Sequence, residues 1–291
     1  MSNPKSQMAD KARRDASSAT VTEVARSLPG SRFSTGNKDA KSLPPAAQFA
    51  AFRCSPEPGR PLPVLSIRER RVFLSQAVEM VAHGISPSLI VVGQPGLGKS
   101  HEITRTLQAM GMEEGHDYHI VKGYTSSRGL FETLFQNNGT LTILDDCDNA
   151  LHDPVAVGLL KAALDSHHVR KISWVTANKG KDAFPKSFCY NGQVIFVSNR
   201  LLSDIDDAIH SRSLVIDYFM SREEILQHME AILPLIKSKA TPEQRQRGLD
   251  FVREWAPGIR QLNLRTLVSV LRIITAHPTN WKPLAIYTVS L

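Results

Sequence analysis

Residues 93–100 combine glycine, lysine and a hydroxyl side chain at a spacing that can hold a phosphate group. They read Gly-Gln-Pro-Gly-Leu-Gly-Lys-Ser and satisfy the pattern G-x-x-x-x-G-K-[ST]. Glycines allow successive N–H groups to turn toward one anion, and the following helix directs its positive end at the same anion. Lys99 would reach the β- and γ-phosphates, and Ser100 would ligate Mg²⁺. The predicted ATP-binding residues of this phosphate loop are Gly93, Gln94, Pro95, Gly96, Leu97, Gly98, Lys99 and Ser100.

Two adjacent carboxylates follow the apolar run 141–144. Successive strand residues point to opposite faces, but the turn at the end of a strand can aim both side chains at one site. Asp145 would hold the water shell of the Mg²⁺ ion, with Ser100 as the second metal ligand, and Asp146 would polarise the attacking water. Asp148 is a reserve candidate for the second role, or else a helix N-cap or a solvated acid.

Short apolar runs alternate with helical patterns through the middle of the chain. Near-continuous apolar strands separated by helices predict an α/β fold with a parallel sheet covered on both faces. The predicted strands are 89–92, 118–121, 141–144, 194–197 and 214–216, with an extra hairpin strand at 172–175 inside the insertion 169–192. The predicted helices between them are 67–82, 99–110, 130–135 and 154–166.

Residues after 220 carry helical patterns only. Ser221 with Glu224, and Thr241 with Gln244, have the spacing of capping boxes, and Asn263 can cap a third helix. We therefore expect three parts: a basic tail at 1–62, a nucleotide-binding domain at 63–220 and a helical lid domain at 221–291.

The positive charge is concentrated near the start of the chain. The net charge is +7, and residues 1–70 carry 12 Lys and Arg against six Asp and Glu. Such a segment can hold nucleic acid through phosphate contacts, or it can be a solvated disordered arm with at most a short helix at 19–27.

Composition argues against several classes of protein. The chain is 42% apolar, which supports a buried core, but we find no apolar run long enough to span a membrane and no secretory h-region at the N-terminus. Cys54, Cys147 and Cys189 are far apart, and the ten histidines form no metal-spaced cluster. We therefore expect a cytoplasmic protein without disulfides or zinc.

Asn199 ends the later apolar run 194–197 after Ser198, and this arrangement resembles the sensor-1 motif of AAA+ ATPases. In that family the sensor-1 strand lies between the phosphate-loop strand and the Asp-Asp strand. The resemblance implies that Asn199 orients the water near the γ-phosphate. The alternative is an ordinary asparagine in a turn.

Two arginines extend the resemblance. Residues 207–213 resemble the Ser-Arg-Cys segment of clamp-loader ATPases, with serine at the last position. This implies that Arg212 is an arginine finger acting in trans within a homo-oligomeric ring or arc, whereas the alternative is a surface arginine that caps the preceding helix. Residues 263–267 resemble sensor 2, which implies that Arg265 folds over the phosphates. Arg260 competes for that role, and Arg272 is expected to be a solvated helix residue.

The resemblance covers residues 65–280. It implies a P-loop NTPase of AAA+ type, with a three-layer α/β/α parallel sheet and a small C-terminal helical lid domain, that hydrolyses ATP. Many AAA+ members carry Asp-Glu where this chain has Asp145-Asp146, a difference that bears on turnover more than on binding. The Asp-Asp-Cys-Asp run resembles ATPases encoded by bacteriophages, which would place the protein in the host cytoplasm.

Three functions remain open at this point. The basic tail and the Ser-Arg-Ser segment favour an ATPase of DNA replication or recombination. Residues 122–125 could instead form an aromatic pore loop of a protein remodeller, with Tyr124 either in the pore or packed at the strand end. A P-loop kinase is the third class, but no lid for an acceptor substrate is recognisable.

Overall fold

Five parallel strands form the central sheet of the computed structural model, which describes residues 65–165, 167, 169–175 and 184–290. All of these residues lie in one unit of the chain, Pro63–Leu291. The predictions for the basic tail at 1–62, including its helix at 19–27 and its nucleic-acid contacts, lie outside the described residues, as does Cys54. The strands of the sheet are β1 Ser88–Val92, β2 Tyr118–Lys122, β3 Leu141–Asp145, β6 Gln193–Ser198 and β7 Leu214–Asp217.

The strand order is β2-β3-β6-β1-β7, and all four neighbouring pairs are parallel. Strand β6, which ends next to Asn199, therefore lies between the phosphate-loop strand β1 and the carboxylate strand β3. This order confirms the AAA+ type of sheet that the resemblance implies. Because the carboxyl ends of parallel strands share one edge, the order also brings the three predicted motifs to the same place.

The sheet is covered on both faces, which explains its uninterrupted apolar strands. In β1, Leu89 and Val91 pack in one hydrophobic cluster, whereas Ile90 and Val92 pack in a second cluster on the other face. The first cluster includes residues of α1 Ile67–Ala82 and α2 Lys99–Ala109. The second includes α3 Ser127–Gln136 and α5 Pro154–Ala163, preceded by the short α4 Asp148–His152. The three-layer α/β/α architecture is thus confirmed.

A two-stranded hairpin follows α5. The predicted extra strand is β4 Arg170–Ser173, and it pairs in antiparallel fashion with β5 Ser187–Tyr190, which the sequence analysis did not identify. Trp174 follows β4 and packs on Phe131 of α3 with ring centroids 6.0 Å apart. The hairpin is therefore held to the sheet's helical layer by aromatic contacts rather than by strand pairing.

Helices α6 Asp207–His210, α7 Arg222–Ile232, α8 Pro242–Trp255, α9 Leu264–Ala276 and α10 Lys282–Ser290 complete the described part of the chain. We refer to α7–α10 as the helical region. All three predicted caps are confirmed, because Ser221, Thr241 and Asn263 each accept a hydrogen bond from the first turn of their helix. Helix α10 was not predicted. Within the described residues, none of the helices has the length and apolar character needed to cross a membrane.

Candidate active site

A cavity of about 780 Å³ opens at the carboxyl ends of β1, β3 and β6, beside the first turns of α2 and α9. It brings together most of the side chains and loop residues that the sequence singled out. The predicted residues that line it are Gly96, Leu97, Gly98, Lys99, Ser100, Asp145, Asp146, Asn199 and Arg265. Its volume suits a nucleotide-sized ligand, since ligand pockets commonly occupy about 300–1,000 Å³.

The phosphate loop needs glycine for its backbone shape. Gly96 and Gly98 have φ angles of +76° and +86°, the left-handed region that other residues rarely adopt. Gly98 is also the N-cap of α2, so the positive end of that helix faces the cavity. At Gly93 an added Cβ would lie 2.8 Å from the carbonyl oxygen of Tyr218. Gly93 therefore permits the close approach of the loop to the segment after β7.

Contacts from the helical region hold the outer side of the loop. The backbone N–H of Leu264 donates to the Gly96 oxygen at 3.0 Å, and Nε2 of His228 lies 3.3 Å from the Leu97 oxygen. In a planar trans peptide the next N–H points away from the carbonyl oxygen. The amides of Leu97 and Gly98 therefore face the opposite side of the loop, where they are free to meet an anion.

Gln94 fastens the loop from a second direction. Its side-chain amide donates to the Met220 oxygen at 2.8 Å and accepts from the Met220 N–H at 2.9 Å. The Gln94 side chain thus makes the two backbone hydrogen bonds to Met220 that a neighbouring strand would make, in the segment between β7 and α7. The motif had placed Gln94 among the nucleotide-binding residues, and the structure adds this bracing role, which motif spacing alone does not reveal.

Lys99 is the central cation of the site. Only 5% of its surface is exposed, and its Nζ donates to the oxygens of Gly93 and Gln94 and to Oδ1 of Asn199, at 2.7, 2.9 and 2.9 Å. Burial lowers the pKa of Lys99 to about 8, an effect that the carboxylates of Asp146 and Asp145 oppose. The ammonium is thus already removed from water, and an ion pair with an entering phosphate would stabilise its charge.

Asp145 and Ser100 form the predicted metal-ligand pair. The Ser100 hydroxyl donates to Oδ1 of Asp145 at 2.7 Å, so the two oxygens are close enough to bind one ion. Lys122, at the end of β2, places its Nζ 3.8 Å from Oδ2 of Asp145. No group of three His, Cys, Asp or Glu side chains in the described ranges is arranged to hold a metal. The Ser100 hydroxyl and the Asp145 carboxylate are oxygen donors that fit Mg²⁺, which binds one or two protein oxygens and completes its octahedron with phosphate and water.

Asp146 has a backbone conformation that is rare outside glycine. Its φ is +56°, the single positive value for a non-glycine residue in the described part of the chain. Nδ2 of Asn199 donates to Oδ1 of Asp146 at 2.6 Å, while the amide oxygen of Asn199 faces Lys99. Burial, followed by the charge of Asp145, raises the pKa of Asp146 above its usual range. Asn199 therefore links the cation of the loop to the carboxylate.

The structure separates the two candidates for the water-polarising role. Asp148 does not line the cavity; its Oδ1 accepts from the Ser198 hydroxyl at 2.7 Å, and its Oδ2 lies 3.6 Å from Nε of Arg200. These contacts join α4 to the end of β6. Asp146 is thus the carboxylate beside Asp145 that faces the cavity.

One face of α9 lines the cavity on the side opposite the sheet. It presents Arg265, Val268, Ser269 and Arg272, which have the helical spacing i, i+3, i+4 and i+7. Arg272 is exposed, as expected, but it also lines the cavity, so describing it only as a solvated residue was incomplete. Arg260 does not line the cavity.

Arg212 lies at the other end of the sheet. It precedes β7, and the Ser88 hydroxyl at the start of β1 donates to its backbone oxygen at 3.3 Å. The five residues of β1 separate that end from the cavity by about 13 Å. The Arg212 guanidinium donates to the Ala208 oxygen at 2.7 Å, which is the helix-capping contact named as the alternative. The fold does not bring Arg212 to the cavity of its own chain.

Comparisons with known proteins add little beyond the fold. No family model matches the chain. An uncharacterized 36.7 kDa protein from the nrdC-mobD intergenic region of Enterobacteria phage T4 is 25% identical over 241 residues, which cover 75% of this chain and 73% of the relative. The Thermotoga maritima RuvB Holliday junction branch migration motor is 14% identical, with a TM-score of 0.46, over 74% of this chain and 64% of RuvB. A proline-to-glycine variant of RuvB gives a TM-score of 0.47 at 14% identity, with 66% of that chain covered. This chain therefore spans less than two thirds of those RuvB chains.

The raised pKa of Asp146 predicts a stabilising variant. A carboxyl group whose pKa is raised by folding costs stability once it ionises, and this cost disappears as the pH falls below that pKa. Asp146→Asn removes the charge beside Asp145, and asparagine tolerates a positive φ. The midpoint of thermal unfolding at pH 7.5 should therefore rise slightly, because the Asp146 side chain is exposed and solvent screens part of its charge.

The pH dependence and a matched variant check this explanation. The gain should shrink as the pH is lowered and the wild-type carboxyl becomes protonated. Asp148→Asn removes a carboxylate that is paired with Arg200, so it should give no such gain. An equal gain from both variants, or a gain that persists in acid, would contradict the cost of ionising Asp146, to which burial contributes most and the charge of Asp145 next.

Proposed function

We propose that this chain is an AAA+ ATPase that hydrolyses MgATP and works as a ring or arc of identical subunits on a macromolecular partner, in DNA replication or recombination. The observation that carries the proposal is the continuous link from Lys99 through Asn199 to Asp146 at the mouth of the phosphate loop. In this link one amide side chain contacts both the proposed phosphate-binding cation and the proposed water-orienting carboxylate.

The loop would bind the phosphates by three means that are present in this chain. These are the inward amides of Leu97 and Gly98, the positive end of α2, and the desolvated ammonium of Lys99. Ser100 and Asp145 would hold Mg²⁺, which supplies neutralisation of the phosphate charge when it is bound. Arg265 and Arg272 from α9 would approach the phosphates from the helical region.

Hydrolysis would depend on Asp146 and Asn199. Asp146 would accept a hydrogen bond from the attacking water and take up its proton as the bond from the water oxygen to the γ-phosphorus forms. The bond to the β–γ bridging oxygen then breaks and leaves ADP and phosphate. Asn199 would hold the Asp146 carboxylate in place, because its amide oxygen is engaged by Lys99.

Arg212 would complete the site of a neighbouring subunit. Its distance from its own cavity and its position at the opposite end of the sheet support a role in trans. A delocalised, permanent charge suits the spreading negative charge of phosphoryl transfer. This role would require at least two copies of the chain, with one copy supplying the loop and the next copy supplying Arg212.

One observation favours the second candidate function, a protein remodeller. Tyr124 is 81% exposed in the segment after β2, so the alternative that it packs at the strand end is wrong. An exposed aromatic residue on this segment suits contact with a threaded polypeptide.

The first prediction of the proposed function concerns nucleotide binding. Lys99→Ala should abolish binding of ATP, because the loop loses its cation and the ammonium contacts that shape it. Fluorescence titration with a labelled ATP analogue measures this loss. Lys161→Ala is the matched control, since Lys161 pairs with Asp206 away from the cavity and should leave binding unchanged. Binding that survives in the Lys99 variant would refute the proposed site.

The second prediction concerns the arginine in trans. Arg212→Ala should leave ATP affinity within about threefold and lower turnover by roughly 10³-fold. Mixing it with Asp146→Asn protein, which lacks turnover but keeps Arg212, should restore part of the activity. Arg253→Ala removes an arginine of the helical region that pairs with Glu230 and should change neither quantity. Unchanged turnover in the Arg212 variant would remove the finger assignment, and formation of only ADP and phosphate would exclude a kinase.

The third prediction separates the two partners. If DNA is the partner, filter binding should show an affinity that falls steeply with salt and is lost on deletion of residues 1–62. Tyr124→Ala should leave that affinity unchanged. DNA-independent binding of a protein that is abolished by Tyr124→Ala would favour the remodeller instead.

A further inference from the structure

Three buried polar atoms on side chains around Glu102 of α2 have no hydrogen-bond partner among the described residues. They are Oη of Tyr218, Nδ1 of His228 and Nε of Arg71. Tyr218 contacts the loop through its backbone at Gly93, and His228 does so through Nε2. Buried polar groups are nearly always paired, so unpaired atoms beside the residues that contact the loop call for an explanation.

The tautomer of His228 follows from its contact with the loop. The Leu97 oxygen can only accept a hydrogen bond, so Nε2 must carry the proton. The residue is 2% exposed, and burial together with the nearby charge of Arg71 lowers its pKa, so the ring is neutral at pH 7. Nδ1 is therefore an unprotonated acceptor that faces the interior.

The three atoms are chemically complementary. The Tyr218 and His228 rings meet edge to face with centroids 6.3 Å apart, and the charge of Arg71 acts on the pKa of both residues. Arg71 is anchored to Glu102 of α2 by an ion pair of 2.8 Å.

We propose that His228 is a positioning residue that couples helix α7 to the phosphate loop. By donating to the Leu97 oxygen it holds that carbonyl outward, which turns the amide of Gly98 toward the site. The inference rests on the proposed binding of ATP to this loop. It goes further because it assigns the coupling to one side chain of the helical region.

A hydrogen bond from α9 to the loop cannot be removed by changing a side chain. Leu264 reaches the Gly96 oxygen through its backbone N–H. His228 therefore offers the cleaner test. Displacement of α7 from the sheet would lengthen the contact between Nε2 and the Leu97 oxygen and release the carbonyl. Nucleotide affinity should therefore respond to the state of this single hydrogen bond.

The experiment compares His228→Phe with His228→Gln. Phenylalanine keeps an aromatic ring beside Tyr218 but leaves the Leu97 carbonyl without its donor, whereas the glutamine amide can still donate. Titration with a labelled ATP analogue should show about a tenfold weaker affinity for His228→Phe and an affinity within about threefold of wild type for His228→Gln. Ile225→Val trims a buried side chain in the same helix and should lower thermal stability without changing affinity.

A second measurement does not depend on nucleotide. The ring nitrogens of ¹⁵N-labelled histidine report the tautomer by NMR, and the His228 signals are identified by their loss in His228→Gln. A neutral ring protonated at Nε2 is expected. Protonation at Nδ1 would overturn the inference, as would equal ATP affinities of wild type and His228→Phe. If the wild type binds no ATP, the proposed function fails, while the tautomer still decides whether His228 donates to the loop.

Discussion

A buried ammonium group is the constraint on which the site depends. Lys99 is surrounded by two loop carbonyls and the amide oxygen of Asn199, and it has given up nearly all contact with water. Removing a cation from water is costly unless oxygens replace the lost hydration. The loop therefore has to curl so that its carbonyls reach Lys99, and β6 has to end where Asn199 can reach it. Both the shape of the loop and the order of the strands bring oxygen atoms to the Lys99 ammonium.

The polarity of the sheet has a consequence for assembly. In a parallel sheet every strand begins at one edge and ends at the other, so residues before β7 and residues after β1 are held a strand length apart. Arg212 belongs to the first edge and the cavity to the second. The rigid sheet makes this separation a property of the fold rather than of a loop conformation. As an arginine finger, Arg212 would therefore have to act on the cavity of a second copy of the chain.

The sequence predicted what local chemistry determines. The phosphate loop, the carboxylates after β3, the three helix caps and the position of β6 all follow from short motifs or from a resemblance carried by them. The sequence analysis missed residues whose role depends on partners that are distant in the chain. Gln94 braces Met220, and His228 meets the Leu97 carbonyl, across more than 100 residues in each case. Strand β5 and helix α10 were also missed, since neither shows a clean period of two or of 3.6.

The conformation of Asp146 explains how two consecutive carboxylates serve one cavity. In a regular strand their side chains would point to opposite faces of the sheet, so a straight extension of β3 would lose one of them. The positive φ of Asp146 breaks that alternation immediately after the last strand residue, and both carboxylates line the cavity. Such a backbone costs of order 1–3 kcal/mol, and it persists where the surroundings hold it. Here the Asp146 N–H donates to the Val197 oxygen at 3.0 Å and the side chain accepts from Asn199. The side chain, one methylene shorter than that of glutamate, is thus brought to the cavity by the backbone. Val197 of β6 and Asn199, the residue after β6, supply the two contacts that keep it there.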